Sequence, residues 1–270
     1  MAQGSASVSN SEKTEATMRT IAIMNNKGGV GKTITAINLA DILAADSHQR
    51  VVLVDCDGQA NLTHFFLPTL GAENAVTTGD ILMGEGEPLW SENVIQLRDG
   101  LSILPSSSGL YDLDLRAIHD GTSAPERLRQ FAEAAADDGD VDWMIFDCPP
   151  GYTVSSVAAL LAAHEVMIPV VADKFSIDGA FAVSDQVRRL AALRPSLRVR
   201  ALLTQARSAD VVTAARTVLA RRGVPLYRTS IRRTDKVPES TVSLMPLREY
   251  SVHSSATRDY RCLARELMEV

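Results

Sequence analysis

Asn26-Lys27-Gly28-Gly29-Val30-Gly31-Lys32-Thr33 joins a short apolar run, Thr20–Met24, to a stretch where Ile34, Ile37, Leu39, Ala40, Ile42 and Leu43 recur at helical spacing. A β-type run, a turn of small residues and a helical pattern, in that order, form a strand–loop–helix unit. Small residues let successive backbone N–H groups turn toward one anion. The helix that follows adds the positive end of its dipole. Lys32 brings a point charge to the same place, and Thr33 brings a hydroxyl one residue later. That set of groups matches a nucleoside triphosphate, with Lys32 on the β- and γ-phosphates and Thr33 on Mg²⁺.

The standard phosphate loop reads G-x-x-x-x-G-K-[ST]. Gly31-Lys32-Thr33 satisfies its end, but Asn26 stands where the first glycine belongs, and Lys27 is an additional lysine. Lys27 admits two readings. It is either a solvated surface lysine or a cation offered to a nucleotide in a facing subunit, in the manner of an arginine finger.

Two further motifs follow in order. Val51-Val52-Leu53-Val54-Asp55-Cys56-Asp57-Gly58-Gln59-Ala60-Asn61 is a continuous apolar run that ends in two carboxylates. Carboxylates beyond the carboxyl ends of parallel strands sit where such sheets bind ligands. There Asp55 can hold a metal ion and Asp57 can orient an attacking water; turn and capping chemistry by Asp57 and Asn61 is the structural alternative. Trp143-Met144-Ile145-Phe146-Asp147-Cys148-Pro149-Pro150-Gly151 repeats the apolar strand ending in an aspartate. Asp147 fits acceptance from Mg²⁺-bound water near Thr33, or else caps a turn.

Short apolar runs alternate with longer helical patterns along the rest of the chain. Leu101–Leu104, Val166–Val171 and Val199–Leu203 read as strands. Pro125–Ala136, Ser155–Ala163, Ile177–Leu193, Ala209–Arg222 and Tyr260–Met268 read as helices. Alternation of this kind predicts an α/β fold, a doubly wound and mostly parallel sheet with helices on both faces. No interior linker stands out. Residues 1–17 are rich in Ser, Ala and Glu, with no apolar core of a secretion signal, and are expected to be a disordered tail ahead of a single domain over 18–270.

Lys27-Gly28-Gly29-Val30-Gly31-Lys32-Thr33 resembles the deviant Walker A loop of the ParA/MinD (SIMIBI-class) P-loop ATPases. The segment from Asp55 to Asn61 is similar to that family's D-x-D-P-Q-x-N switch, with Gly58 in place of proline, a change expected to loosen the switch. The resemblance runs from about Met18 to the C-terminus, through Asp147-x-Pro149-Pro150-Gly151, Thr229–Arg232 and Tyr260–Leu267. It implies a homodimer that sandwiches ATP, with Lys27 reaching across, Lys32 and Asp57 serving hydrolysis, and Thr33, Asp55 and Asp147 serving the metal. It implies nucleotide contacts by Lys27, Gly28, Gly29, Val30, Gly31, Lys32, Thr33 and Ile34, and a base-side position at Thr204-Gln205. It also implies alternation between ATP and ADP states, and a ParB-like centromere-binding protein that stimulates slow hydrolysis.

Charge separates the branches of that family. The formal charge is −6, yet from Arg188 to Lys236 thirteen basic residues face only Asp210 and Asp235, so this segment is +11 and the remainder −17. Clustered cations suffice for phosphate contacts. Arg221, Arg222, Arg228, Arg232, Arg233 and Lys236 are the candidates for nonspecific DNA binding; solvated helix faces are the plainer reading. Arg188, Arg189, Arg198 and Arg200 are assigned to another face. The final helix has mixed charge and core-like spacing at Tyr260, Leu263, Leu267 and Met268, so stable membrane association is not expected. The cysteines are Cys56, Cys148 and Cys262, an odd number without a C-x-x-C pair, which points to a reducing cytoplasm and away from an iron–sulfur site. Residues 1–17 are too short for an operator-binding extension, so none is expected ahead of Met18. The expectation is a short ParA-type partitioning ATPase, cytoplasmic and nucleoid-associated. The alternatives are a positioning ATPase for a non-DNA cargo, a MinD-like membrane regulator, or a metabolite enzyme of the same fold.

Overall fold

A computed structural model describes residues 18–69, 75–84, 89–120, 125–190 and 196–269. The tail over 1–17, the last turn of the helix expected to reach Leu193, and Arg194 lie outside the described residues. In chain order the elements are β1 (Arg19–Ile23), α1 (Lys32–Ser47), β2 (Val51–Asp55), α2 (Asn61–Phe66), α3 (Thr78–Met83), α4 (Trp90–Asn93), β3 (Ile95–Arg98), β4 (Leu101–Leu104), α5 (Gly109–Asp120) and α6 (Glu126–Asp137). They continue with β5 (Trp143–Asp147), α7 (Val154–Ala162), β6 (Glu165–Val171), α8 (Lys174–Leu190), β7 (Arg198–Ala206), α9 (Ala209–Arg221), β8 (Leu226–Arg232), α10 (Lys236–Val242), α11 (Leu247–Tyr250) and α12 (Ser255–Met268).

The strands form one eight-stranded sheet in the order β3-β4-β2-β5-β1-β6-β7-β8. Every pairing is parallel except β3 with β4. The central strands are buried on both faces, which is why they read as continuous apolar runs. Side chains still alternate between two cores. Ile21, Ile23, Trp143 and Ile145 pack with α1 and α12 on one face. Ala22, Met144 and Phe146 pack with α6, α7 and α8 on the other. Tyr260, Leu263, Ala264 and Leu267 of α12 are buried in the first core, so this helix is a packed element; Met268, expected at the same spacing, is instead exposed at the end of the helix. No described helix is long and apolar enough to cross a membrane.

β1 sits between β5 and β6, so the chain leaves it in one direction for β2 and later returns on the other side. The loops at the carboxyl ends of β1, β2 and β5 therefore converge at the switch point of the sheet, where open α/β sheets bind ligands.

At the opposite ends of β6, β7 and β8, Glu165 is buried and accepts two bonds from Arg200, at 2.6 and 2.8 Å, and one from the Tyr227 hydroxyl. The Arg200 guanidinium lies 4.1 Å over the Tyr227 ring. Arg200 is thus part of the fold and not of a basic surface. Glu165→Ala should leave this buried cation unpaired and cost about 3 kcal/mol, lowering Tm by roughly 10 °C in a thermal melt.

Candidate nucleotide site

Asn25 shapes the turn out of β1. Fully buried, it donates to the Pro169 carbonyl at 2.7 Å and accepts from the Lys27 N–H at 3.0 Å. Gly29 and Gly31 then adopt left-handed φ values of 73° and 91°, and Gly31 is the N-cap of α1. Side chains carrying a Cβ are strained there. The end of β7 braces the loop from outside. Thr204 Oγ1 donates to the Val30 carbonyl at 2.8 Å, and Gln205 Nε2 donates to the Gly29 carbonyl at 2.8 Å. With those carbonyls held, Gly28, Gly29, Gly31, Lys32, Thr33 and Ile34 line a cavity of about 830 Å³. Val30 is buried beneath them.

Lys32 is almost fully buried, and its Nζ rests on the Lys27 carbonyl at 3.3 Å. Burial lowers its pKa from the ordinary lysine value, against the pull of Asp147, Cys148 and Asp57. Asp55 and Asp147 end adjacent strands directly opposite each other. Burial, and then the charge of Asp55, push Asp147 well above the usual carboxylate range; the Thr33 hydroxyl, which donates to it, and Lys32 oppose this. Asp147 Oδ1 is buried and has no hydrogen-bond partner among the described residues. A buried carboxylate oxygen beside a threonine hydroxyl supplies oxygen ligands that fit a hard divalent cation such as Mg²⁺, with the Lys32 ammonium left for the phosphate.

Asp55 is occupied differently. Its Oδ2 accepts from the Thr63 N–H at 2.9 Å and the Thr63 hydroxyl at 2.7 Å, and its Oδ1 from the Asp57 N–H at 3.1 Å. Burial pushes its pKa up to about 6, against those bonds. The carboxylate is engaged in holding the loop after β2.

Asp57 reaches the cavity from that loop, beside Gln59 and Asn61. Its Oδ1 accepts from the Gln59 N–H at 2.9 Å, and its carbonyl accepts from Ser106 Oγ at 2.7 Å.

Lys27 does not line the cavity. Its Nζ lies 2.9 and 3.1 Å from the two carboxylate oxygens of Asp173, between β6 and α8, and 5.9 Å from the centroid of the exposed Phe175 ring. Asp173 carries no local sequence signal of this pairing; it follows β6 by two residues and meets Lys27 only through the fold.

Beyond Thr204 and Gln205 the cavity continues along Ile231, Arg233, Thr234, Asp235, Val237, Pro238 and Thr241, with Tyr260 at its side. Sequence reasoning placed the base side at Thr204 and Gln205 alone. Of the wall after β8, Ile231 and Arg232 lie in the Thr229–Arg232 stretch that carries the resemblance, whereas the residues from Arg233 to Thr241 carry no motif that places them on the cavity.

The six cationic candidates differ in what holds them. Arg232 forms an ion pair with Asp259 at 2.7 Å. Arg228 pairs with Glu266 of α12 and with Glu269, just past its end. Lys236 pairs with Glu239 at 2.6 Å. Arg233 borders the cavity. Arg221 and Arg222 are exposed at the end of α9, Arg222 lying 4.4 Å over the Phe181 ring.

A glycine-rich loop after the central strand, with a buried lysine, a threonine and a strand-end aspartate converging on one cavity, defines a P-loop nucleotide-binding protein of the α/β class. A family model described as an AAA domain matches residues 18–199. The chromosome partitioning protein ParA of Caulobacter vibrioides is 31% identical over 258 residues, covering 93% of this chain and 94% of that one. The chromosome-partitioning ATPase Soj of Thermus thermophilus is 33% identical over 259 residues, covering 94% and 96%. Among solved structures, cobyrinic acid a,c-diamide synthase from Mycobacterium smegmatis, with bound ATP analogue and magnesium, matches at TM-score 0.77 and 28% identity over 93% of this chain and 94% of that one. The chain belongs to the ParA/Soj family of P-loop ATPases.

Proposed function

We propose that this protein is an ATP-driven partitioning switch that dimerises on ATP, holds DNA without sequence preference and releases it after hydrolysis. The observation that carries the reading is Lys27. A lysine within the phosphate loop is turned away from its own cavity and parked on Asp173, where a facing subunit's nucleotide can draw it off. The similarity to ParA and Soj over almost the whole chain supports the same reading.

In this mechanism the loop amides and Lys32 seat the triphosphate, and the base lies along the wall after β8. Thr33 and Asp147 would hold Mg²⁺, which supplies neutralisation of phosphate charge. Asp55 braces the loop that carries Asp57, and Asp57 orients the attacking water by accepting its proton. Lys27 offers its charge across the dimer interface to phosphate oxygens that gain charge during transfer. A ParB-like partner stimulates this step, and the ADP form returns to monomers that leave the nucleoid. The domain extends over 18–270, with 1–17 as a tail. Of the DNA candidates, Arg221 and Arg222 have the fewest competing carboxylates. Lys236 must give up an exposed ion pair, which is weak; Arg228 and Arg232 are held in part by the buried carboxylates of Glu266 and Asp259, and Arg233 serves the nucleotide first.

Co-sedimentation with DNA across a salt series, with ATP, ADP or no nucleotide, tests the proposal. Binding should need ATP and weaken steeply with salt. Arg221→Ala/Arg222→Ala should weaken it roughly tenfold and lower the salt slope by about one unit for each arginine engaged. Binding indifferent to nucleotide, or absent at low salt with ATP, overturns the reading. The likeness to the diamide synthase favours one other reading. ATP turnover that depends on a small carboxylic acid, and not on DNA or a protein partner, would establish it.

A further inference from the structure

Gly58 stands where the similar switch pattern carries proline, and the structure shows what occupies the space. A Cβ at position 58 would come within 2.9, 3.0 and 3.1 Å of Tyr111 Cζ, Cε2 and Cε1. Tyr111 belongs to the first turn of α5, where its N–H donates to the Ser108 carbonyl at 3.0 Å. Its hydroxyl accepts a short hydrogen bond from Gln59 Nε2. The ring forms part of the cavity wall with Asp57, Gln59 and Asn61. The glycine makes room for an aromatic ring, and the expected slackness of the switch does not follow from its small size.

The connections run in one direction, toward Asp57. Ser106 holds the Asp57 carbonyl at 2.7 Å, and the Gln59 N–H holds its Oδ1 at 2.9 Å. Gln59 is therefore gripped at both ends, by Asp57 on its backbone and by Tyr111 on its side chain. A hydrogen bond that fixes a neighbouring residue controls the orientation of a group poised on a water.

We propose that Tyr111 is a positioning residue for hydrolysis: its ring packs against Gly58 and its hydroxyl holds Gln59, so that α5 sets the carboxylate of Asp57. This rests on the assignment of Asp57 to the attacking water. Tyr111 touches no reacting atom in this scheme; it acts through Gln59 and Gly58.

Steady-state ATP turnover and ADP binding, measured on the full chain and four variants, test it. Tyr111→Phe keeps the ring and loses the hydroxyl, and should lower kcat roughly fivefold with KM and ADP affinity unchanged. Tyr111→Ala should lower kcat further. Gly58→Ala alone should lower kcat by at least as much as Tyr111→Phe, because its methyl displaces the ring. In the Tyr111→Ala background the same Gly58→Ala change should have no further effect, a coupling that independent structural defects do not produce. A kcat unchanged in both Tyr111 variants, or a Gly58→Ala effect equal in both backgrounds, overturns the assignment while leaving the ATPase reading intact. A wild-type chain that binds ADP and never turns over ATP overturns both.

Discussion

Lys32→Ala should lose nucleotide binding and turnover together while the protein stays folded. The ammonium sits almost fully buried at the head of α1, and among the described residues its one hydrogen-bond partner is the Lys27 carbonyl. Its position is poor for the apo protein, since burial opposes its charge, and it is repaid only when phosphate oxygens arrive. Charge-assisted bonds to a triphosphate contribute roughly 3 kcal/mol or more, so ATP and ADP affinity should fall by about 100-fold or more in isothermal titration. Turnover should fall by a further factor on the order of 10² at saturating ATP, because the same charge faces the oxygens that become more negative. Removal also takes from Asp147 the nearby Lys32 charge that favours its ionised form, which raises further the energy of ionising it. Thermal melting should nonetheless stay close to wild type, since the charge lost from beside Asp147 is offset by relieving the desolvation of the buried ammonium. Wild-type affinity in Lys32→Ala would show that the cavity binds something other than the phosphates on this loop.

How far such a site can be read from sequence depends on the distance over which its parts cohere. β1, β2 and β5 are legible because each is a continuous apolar run buried on both faces, with β2 and β5 closed by an aspartate. The loop is legible because its glycines and lysines act within eight residues. β3 and β8 are not: Ile95–Arg98 and Leu226–Arg232 are edge strands, half-exposed and interrupted by Gln, Arg and Thr, so no apolar run announces them. α5 begins in a Ser/Gly stretch that reads as loop. Helix ends shift by a few residues for similar reasons; α8 starts at Lys174, whereas the apolar pattern starts at Ile177.

Partnership over long separations leaves no local mark at all. Asp173 is 146 residues from Lys27, and Tyr111 is 52 residues from Gln59. The thirteen-cation segment overstates the basic surface for the same reason. Arg216 is spent on the carbonyls of Tyr227 and Arg228, and Arg188 on the carbonyl of Gly223. Charge counted along the chain omits the carboxylates and carbonyls that tertiary structure brings to it.

Lys27→Gln should separate binding from catalysis. In the isolated chain Lys27 contributes one half-exposed ion pair with Asp173, and such pairs contribute well under about 1 kcal/mol. Stability and nucleotide affinity should therefore stay near wild type. If Lys27 acts across the dimer as an arginine finger does, turnover should drop on the order of 10³-fold. A mixing experiment tests the trans geometry directly. Lys27→Gln retains Asp57, and Asp57→Ala retains Lys27; both keep the loop glycines, Lys32 and Thr33 and should bind ATP. In a mixed dimer, the nucleotide held by the Lys27→Gln subunit meets an intact Asp57 from its own chain and an intact Lys27 from its neighbour. Random pairing makes half the dimers mixed, with one of two sites whole in each, so turnover should recover to about a quarter of the wild-type rate. If Lys27 served only its own subunit, every site in the mixture would lack one of the two groups and no recovery would appear.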